Sequence, residues 1–293
     1  MNPTKIVVDT DIGTDVDDAL ALAFALNSEE IELLAVTVVS SEVKLRSRLA
    51  AKILKTWGRS DIPVAAGRSD TFDGRPAYAG PVNQQGVLTA DDPAPPSNAI
   101  DLMIEVIQAY AGQVTLVSIG QLTNVAAAFN QAPELTEQVQ RLVMMAGAVE
   151  HQRKIEYNVR CDPAAAAYVV DLPVPKILIP LDVTTRCKYR EQYHTELSNA
   201  ATARAALIWQ MIQAWQRATG RIEPILHDPL AVAVSFMPDL VTLEPMCLTV
   251  ATEAAPGVEP GQLIVQDGEA NVQVATDVDV ERFETLFAER LAR

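Results

Sequence analysis

Cysteine, histidine and positive charge are all in short supply in this chain of 293 residues. The three cysteines, Cys161, Cys187 and Cys247, are odd in number, widely spaced and without a CxxC pair, which argues against a disulfide framework and a zinc site. A reducing cytoplasm is the expected location. Lysine and arginine number 23 against 38 aspartates and glutamates, and the formal charge of −15 repels a phosphate backbone or an anionic bilayer. Nucleic acid and membrane surfaces are therefore not expected as partners, whereas small neutral or cationic ligands are allowed. No apolar run reaches membrane-spanning length, and no basic segment precedes an apolar one at the N-terminus. A GxGxxG dinucleotide fingerprint, a linker and an internal repeat are also missing. The one loop-like cluster, DDPAPPS at residues 91–97, is too short to divide domains, so a single α/β domain over residues 1–293 is expected.

What the chain does have is alternation. Short β-branched runs at residues 5–9, 31–39, 114–119, 141–146 and 176–181 read as strands. Between and after them, residues 16–27, 42–57, 98–110, 123–130, 163–170 and 202–218 carry helical periodicity. Strand and crossover helix in repetition predict an open, mainly parallel, Rossmann-like sheet with helices on both faces, and ligands bind such sheets beyond the carboxyl ends of the strands. Past residue 237 the pattern changes to closely spaced strands at 241–252, 262–266 and 270–275 and a last helix at 280–291, which predicts a small antiparallel extension.

The first of these strands runs into an unusual concentration of charge. In IVVDTDIGTDVDDALAL, residues 6–22, the five aspartates Asp9, Asp11, Asp15, Asp17 and Asp18 fall within ten positions, between a strand and an apolar helix. N-capping and the helix dipole account for one or two of Asp15, Asp17 and Asp18. They do not account for Asp9 and Asp11 at the strand end. Carboxylates crowded there repel one another unless a cation or a shared proton compensates, and a hard divalent ion is the economical solution.

The run DTDIGTDVDDALAL resembles the N-terminal signature of the nucleoside hydrolase family, the inosine/uridine-preferring nucleoside N-ribohydrolases. Further segments resemble family blocks in the family's order: LAVTVV (34–39), GQLTNVA (120–126), MMAGAV (144–149), EYNVRCDPAAA (156–166) and HDPLAVA (227–233). The resemblance implies a Ca²⁺ ion held by Asp11, Asp18, Asp228 and the backbone carbonyl of Ile119, an oxygen-only set that suits calcium better than zinc. It implies Asp17, Glu156 and Asn158 on the ribose hydroxyls, Asp11 as the base that takes a proton from water, and His227 as the acid that protonates the departing base. Read locally, His227-Asp228-Pro229 is also a good helix start, an aspartate N-cap followed by proline, ahead of a helix at 230–236. Glu156 and Asn158, two residues apart, would point to one side of an extended segment. Asn124 is expected to cap the helix that follows it.

Departures from the family pattern fall around the expected sugar and base pocket. A longer loop between Gly13 and Asp17 leaves Asp15 without a role. Glu42 in SSEVK is the nearest equivalent to an asparagine after the second strand, the 81–85 loop carries Asn83 and no histidine, and Glu150-His151-Gln152-Arg153 replaces a glycine-asparagine pair. Glu42 and Asn83 are thus taken as substrate contacts that shift preference toward a modified or cationic nucleoside. The expected assembly is a homodimer or homotetramer. Two alternatives compete: a non-catalytic calcium or nucleoside-binding protein, and a haloacid-dehalogenase-like phosphatase, whose nucleophile motif is also DxD but which needs a strand-end lysine and an acidic pair that the chain lacks.

Overall fold

The computed structural model describes residues 2–77, 80–152, 154–199 and 201–292. Nine strands, β1 (Thr4–Thr10), β2 (Ile31–Val38), β3 (Val64–Ala66), β4 (Val114–Ser118), β5 (Arg141–Met145), β6 (Lys176–Ile179), β7 (Val241–Val250), β8 (Leu263–Gln266) and β9 (Val272–Val278), form one sheet in the order β3-β2-β1-β4-β5-β6-β9-β7-β8. The first six are mutually parallel where they pair, as the alternation with helices predicts. The C-terminal strands form the expected antiparallel extension at the edge of the same sheet, where β9 adds parallel to β6 and carries β7 and β8 antiparallel beyond it.

Among the described residues, twelve α-helices cover the sheet. They are α1 (Asp17–Leu26), α2 (Val43–Thr56), α3 (Ala99–Ala109), α4 (Thr123–Gln131), α5 (Leu135–Gln138), α6 (Tyr157–Cys161), α7 (Pro163–Asp171), α8 (Leu181–Thr184), α9 (Glu191–Asn199), α10 (Ala203–Thr219), α11 (His227–Phe236) and α12 (Val280–Leu291). None of the described helices is long and apolar enough to cross a membrane.

Alternation along β1 explains why a run of three β-branched residues is buried on both faces. Ile6 and Val8 join the core beneath α1, α2, α10, α11 and α12, while Val7 joins the core beneath α3, α4 and α7. Helix α1 is buried from Asp17 to Ala25, wedged between the sheet, α11 and α12, which is why its sequence is apolar nearly all round. The strand expected at 176–181 stops at Ile179. Pro180 has no amide to give the ladder, and a helical turn, α8, starts immediately after it.

The chain leaves β1 toward β2 and β3 on one side and returns through β4, β5 and β6 on the other. The switch point lies between β1 and β4. At their carboxyl ends stand Asp11 and the Ile119-Gly120 turn, whose amides both donate to the Asp9 carbonyl at 2.8 and 3.3 Å. A crevice opens at such a point because the two connections run apart.

Candidate active site

The turn from Asp11 to Val16 is fixed by close packing as well as by charge. Gly13 has φ +122°, and a Cβ there would stand 2.8 Å from the Val82 side chain, so only glycine fits. Val16 rather than an aspartate occupies the N-cap of α1, and no side chain caps it. Asp15 Oδ1 accepts from the Val16 amide at 2.7 Å. Asp17 and Asp18 are released from capping and stand in the first turn of α1, where the helix dipole favours negative charge.

From the other side, α11 delivers Asp228. Its N-cap is Leu226, so the sequence expectation of an Asp228 cap followed by proline at N1 does not hold; Asp228 lies one residue inside the helix and is freed for the cavity. Carboxylate oxygens of Asp17, Asp18 and Asp228 lie within 4.8 Å of one another. All three side chains are buried, and Thr10 Oγ1 donates to Asp18 Oδ1 at 2.5 Å. Asp11 and Ile119 line the same cavity, but this closest triple contains Asp17 where the sequence reading has Asp11.

Burial and mutual repulsion push every one of these carboxyls upward. Asp17, Asp18 and Asp228 rise well above the usual range, first by desolvation and then through the neighbouring aspartates. Asp11 is raised by burial to about 6, with the Arg46 guanidinium pulling the other way. Asp15 is also raised by burial, opposed by its bond to the Val16 amide and by Arg221. An all-oxygen donor set of this kind fits a hard divalent ion better than a soft one.

Glu156 and Asn158 enter the cavity differently from the expected extended pair. Glu156 N-caps the short helix α6: Oε1 accepts from the Asn158 amide at 2.7 Å, and Oε2 from the Val159 and Gly147 amides, each at 3.1 Å. Burial still raises its carboxyl to about 7 against those three bonds. The Asn158 amide donates to the carbonyls of Ile119 at 3.2 Å and Met145 at 3.0 Å, tying α6 to the ends of β4 and β5. A helical turn wins over extended chain because the carboxylate satisfies the amides that a helix start leaves open.

His227 also lines the cavity, with Nδ1 2.7 Å from the Thr184 hydroxyl of α8. The enclosed space is about 350 Å³, within the range of small-molecule sites. His151, Tyr157, Thr185, Arg221 and Ile225 line the same cavity. Arg221 and Thr185 were not legible as site residues, since they arrive from the segment after α10 and from the end of α8, neither of which carries a motif.

Two residues taken as substrate contacts are placed elsewhere. Glu42 is exposed at the N-cap of α2, in a left-handed conformation with φ 53°, and is not part of the cavity wall. A further carboxylate is better solvated in water than beside the six that line the cavity. Asn83 does not line the cavity; its amide donates to the Thr14 carbonyl at 2.7 Å, as Gln84 does to that of Asp15 at 3.0 Å, so the 81–85 loop braces the acidic turn. Asn124 does not cap α4. Its amide reaches Asp9 Oδ1 at 2.8 Å and the Val38 carbonyl, and Thr37 donates to the same Asp9 oxygen at 2.6 Å. Asp9 is thereby turned to the other side of the sheet and ties β1 to β2 and α4, with its carboxyl raised by burial to about 7. In the 150–153 segment, Asp182 holds the Glu150 amide at 2.7 Å, His151 reaches the cavity, and Arg153 lies outside the described residues.

Known proteins share the sequence pattern and the fold of this chain. The chain is 31% identical to the non-specific ribonucleoside hydrolase RihC of Escherichia coli over 98% of both chains, and 32% identical to an uncharacterized protein of Schizosaccharomyces pombe over 99% of both. Its fold matches that of a purine-preferring ribonucleoside hydrolase from Gardnerella vaginalis with a TM-score of 0.87, at 28% identity and over 98% of each chain. These likenesses leave no place for the phosphatase alternative. The model of the inosine-uridine preferring nucleoside hydrolases matches residues 6–285, nearly the full length, and the chain belongs to that family.

Proposed function

We propose that this nucleoside hydrolase is calcium-dependent and cleaves a ribonucleoside into free base and ribose. The observation that carries the reading is the convergence, in one buried cavity at the switch point of the sheet, of the Asp17-Asp18-Asp228 triple with Asp11, Glu156, Asn158 and His227. Asp11, Asp18, Asp228 and the Ile119 carbonyl are the proposed ligands of the ion, with Asp17 close enough to share it. A bound Ca²⁺ would supply charge that lowers the pKa of water and neutralises the cluster.

The protein's own groups then divide the work. Asp11, lining the cavity beside the metal cluster, takes the proton of a water molecule as the water oxygen attacks the anomeric carbon. Asp17, Glu156 and Asn158 hold the ribose hydroxyls, and the surrounding negative potential favours the positive charge that develops on the sugar ring as the C–N bond breaks. His227, oriented through Nδ1 by Thr184, donates a proton from its other nitrogen to the departing base. The base is left to the rest of the cavity wall, so selectivity among bases falls to His151, Tyr157, Arg221 and Ile225 rather than to Glu42 or Asn83.

Incubation with a panel of inosine, uridine, adenosine and cytidine, with free ribose and free base quantified in the presence of calcium or of a chelator, tests the reading. Release of both products that stops on chelation and resumes with calcium is expected. Calcium-independent release would remove the metal from the proposal, and binding without release would leave a nucleoside-binding protein.

A further inference from the structure

Arg46 is wholly buried on the apolar stripe of α2, among Val43, Leu49, Ala50 and Ile53, where a charged residue is costly unless each donor is satisfied. All five of its N–H donors are spent, and on oxygens that carry no formal charge. Nε donates to the Ser41 carbonyl at 2.8 Å. Nη1 donates to the carbonyls of Asp11 at 2.6 Å and Ile12 at 3.0 Å. Nη2 donates to Thr14 Oγ1 and to the Gly80 carbonyl, both at 2.9 Å.

Those oxygens come from three different loops. Asp11, Ile12 and Thr14 belong to the acidic turn after β1, Ser41 to the turn after β2, and Gly80 to the segment leading into the 81–85 brace. The Ser41 bond falls between Ser40 and Glu42, whose φ angles of 91° and 53° are conformations that non-glycine residues avoid without outside support. Packing leaves no slack either: a Cβ on Gly13 would meet Leu49 at 3.1 Å and Arg46 Nη1 at 3.4 Å, and one on Gly80 would meet Thr14 Cγ2 at 2.5 Å.

We propose that Arg46 is a positioning residue of the metal and sugar site, a planar five-donor clamp that sets the shape of the Asp11–Thr14 turn and so the convergence of the carboxylates. This inference rests on the metal reading above. A guanidinium could also act only as a positive charge behind the cluster, and the two roles predict opposite signs. As a charge it repels calcium, and its removal tightens binding; as a clamp it organises the ligands, and its removal weakens binding.

Calcium titration by calorimetry, with thermal melting in chelator alongside, separates them. Arg46→Lys keeps the charge but gathers three donors on one atom, which cannot span three loops. It should weaken calcium binding by about 10- to 100-fold, the range seen when a group that orients metal ligands is lost. Arg46→Met should weaken it at least as much, with a cooperative melt in both variants. Unchanged affinity in Arg46→Lys, or tighter binding in Arg46→Met, overturns the inference. Should neither variant fold, Thr14→Val, which removes a single acceptor, decides: several-fold weaker calcium binding supports the clamp and unchanged binding overturns it. A native chain that takes up no calcium overturns the metal reading and the clamp together, whereas a native chain that binds and variants that bind equally well overturn the clamp alone.

Discussion

The two ends of the parallel sheet bury charge in opposite ways. At the amino end of β6, Lys176 is 4% exposed, and its ammonium donates to the carbonyls of Leu172 and, at 3.3 Å, Val174. Its pKa is lowered by burial to about 8, and Asp171 opposes the shift. One buried charge with carbonyls on its donors is a local, finished arrangement. At the carboxyl ends of β1 and β4, Asp11, Asp17, Asp18 and Asp228 are buried together, each raised by desolvation and all but Asp11 raised next by a neighbouring aspartate. Carbonyl oxygens cannot serve an anion, and Arg46, whose charge lowers the Asp11 and Asp18 carboxyls, has its donors on backbone and hydroxyl oxygens. A buried charge is thus a structural detail where its partners are local, and a demand for a ligand where they are not.

The largest expected effect comes from breaking the acidic end. Asp11→Ala should lower kcat/KM on the best nucleoside by about 10²- to 10⁴-fold or more, since it removes the proposed base. Steady-state kinetics with calcium in excess measures it, and a loss of less than tenfold would take Asp11 out of proton transfer. Asp228→Ala should in addition abolish the rise in melting temperature that calcium gives the native chain, because a ligand that binds only the folded state stabilises it.

Next comes His227, which separates protonation of the leaving group from attack by water. A purine or pyrimidine departs poorly unless protonated, whereas a nitrophenolate leaves unaided. His227→Ala should lose about 10²- to 10⁴-fold on the nucleoside and stay near native rates on p-nitrophenyl riboside. Equal losses on both substrates would reduce His227 to a packing residue beside Thr184.

The pH dependence of stability should differ in sign between the two ends. Asp11 at about 6 and Glu156 at about 7 hold their protons more tightly folded than unfolded, where 3.8 and 4.5 apply. Their contribution is therefore full below about pH 4 and is lost as pH rises through 6 to 7. Lys176, at about 8 folded against 10.5 unfolded, contributes fully above pH 10.5 and loses that contribution as pH falls through 8. Melting curves in chelator should fall between pH 5 and pH 7.5, and calcium should flatten that fall. A chelated protein that gains stability across that interval would contradict the burial of uncompensated carboxylates.

The smallest effect is expected at the amino end itself. Lys176→Met should change stability by no more than about 2 kcal/mol in either direction, since an apolar side chain of similar length replaces a buried charge without leaving a partner charge behind. Its kinetics should match those of the native chain. A tenfold change in kcat/KM would mean that the two ends are coupled through the sheet.

The primary sequence by itself determined the alternation of strands and helices, the placing of an acidic turn at the end of the first strand, and the family blocks from DTDIGTDVDDALAL to HDPLAVA. These are local properties: β-branched runs, helical periodicity and charge density are written in neighbouring residues. Even Arg46 left a local trace, a lone arginine at a core position of α2, between Val43 and Leu49 at helical spacing. Only the tertiary structure decided which polar residues face the cavity. Asp9 and Asp11 stand two apart in one chemical pattern, yet Asn124 and Thr37, from α4 and β2, draw Asp9 to the opposite side. Glu42 turns to solvent, Asn83 becomes a brace, and Glu156 caps a helix that no periodicity announces in five residues. Arg221 reaches the cavity from a segment without a motif. The reason is that a side chain's role at a sheet switch point depends on partners tens to more than a hundred residues away, and a single sequence encodes those partners only through the fold.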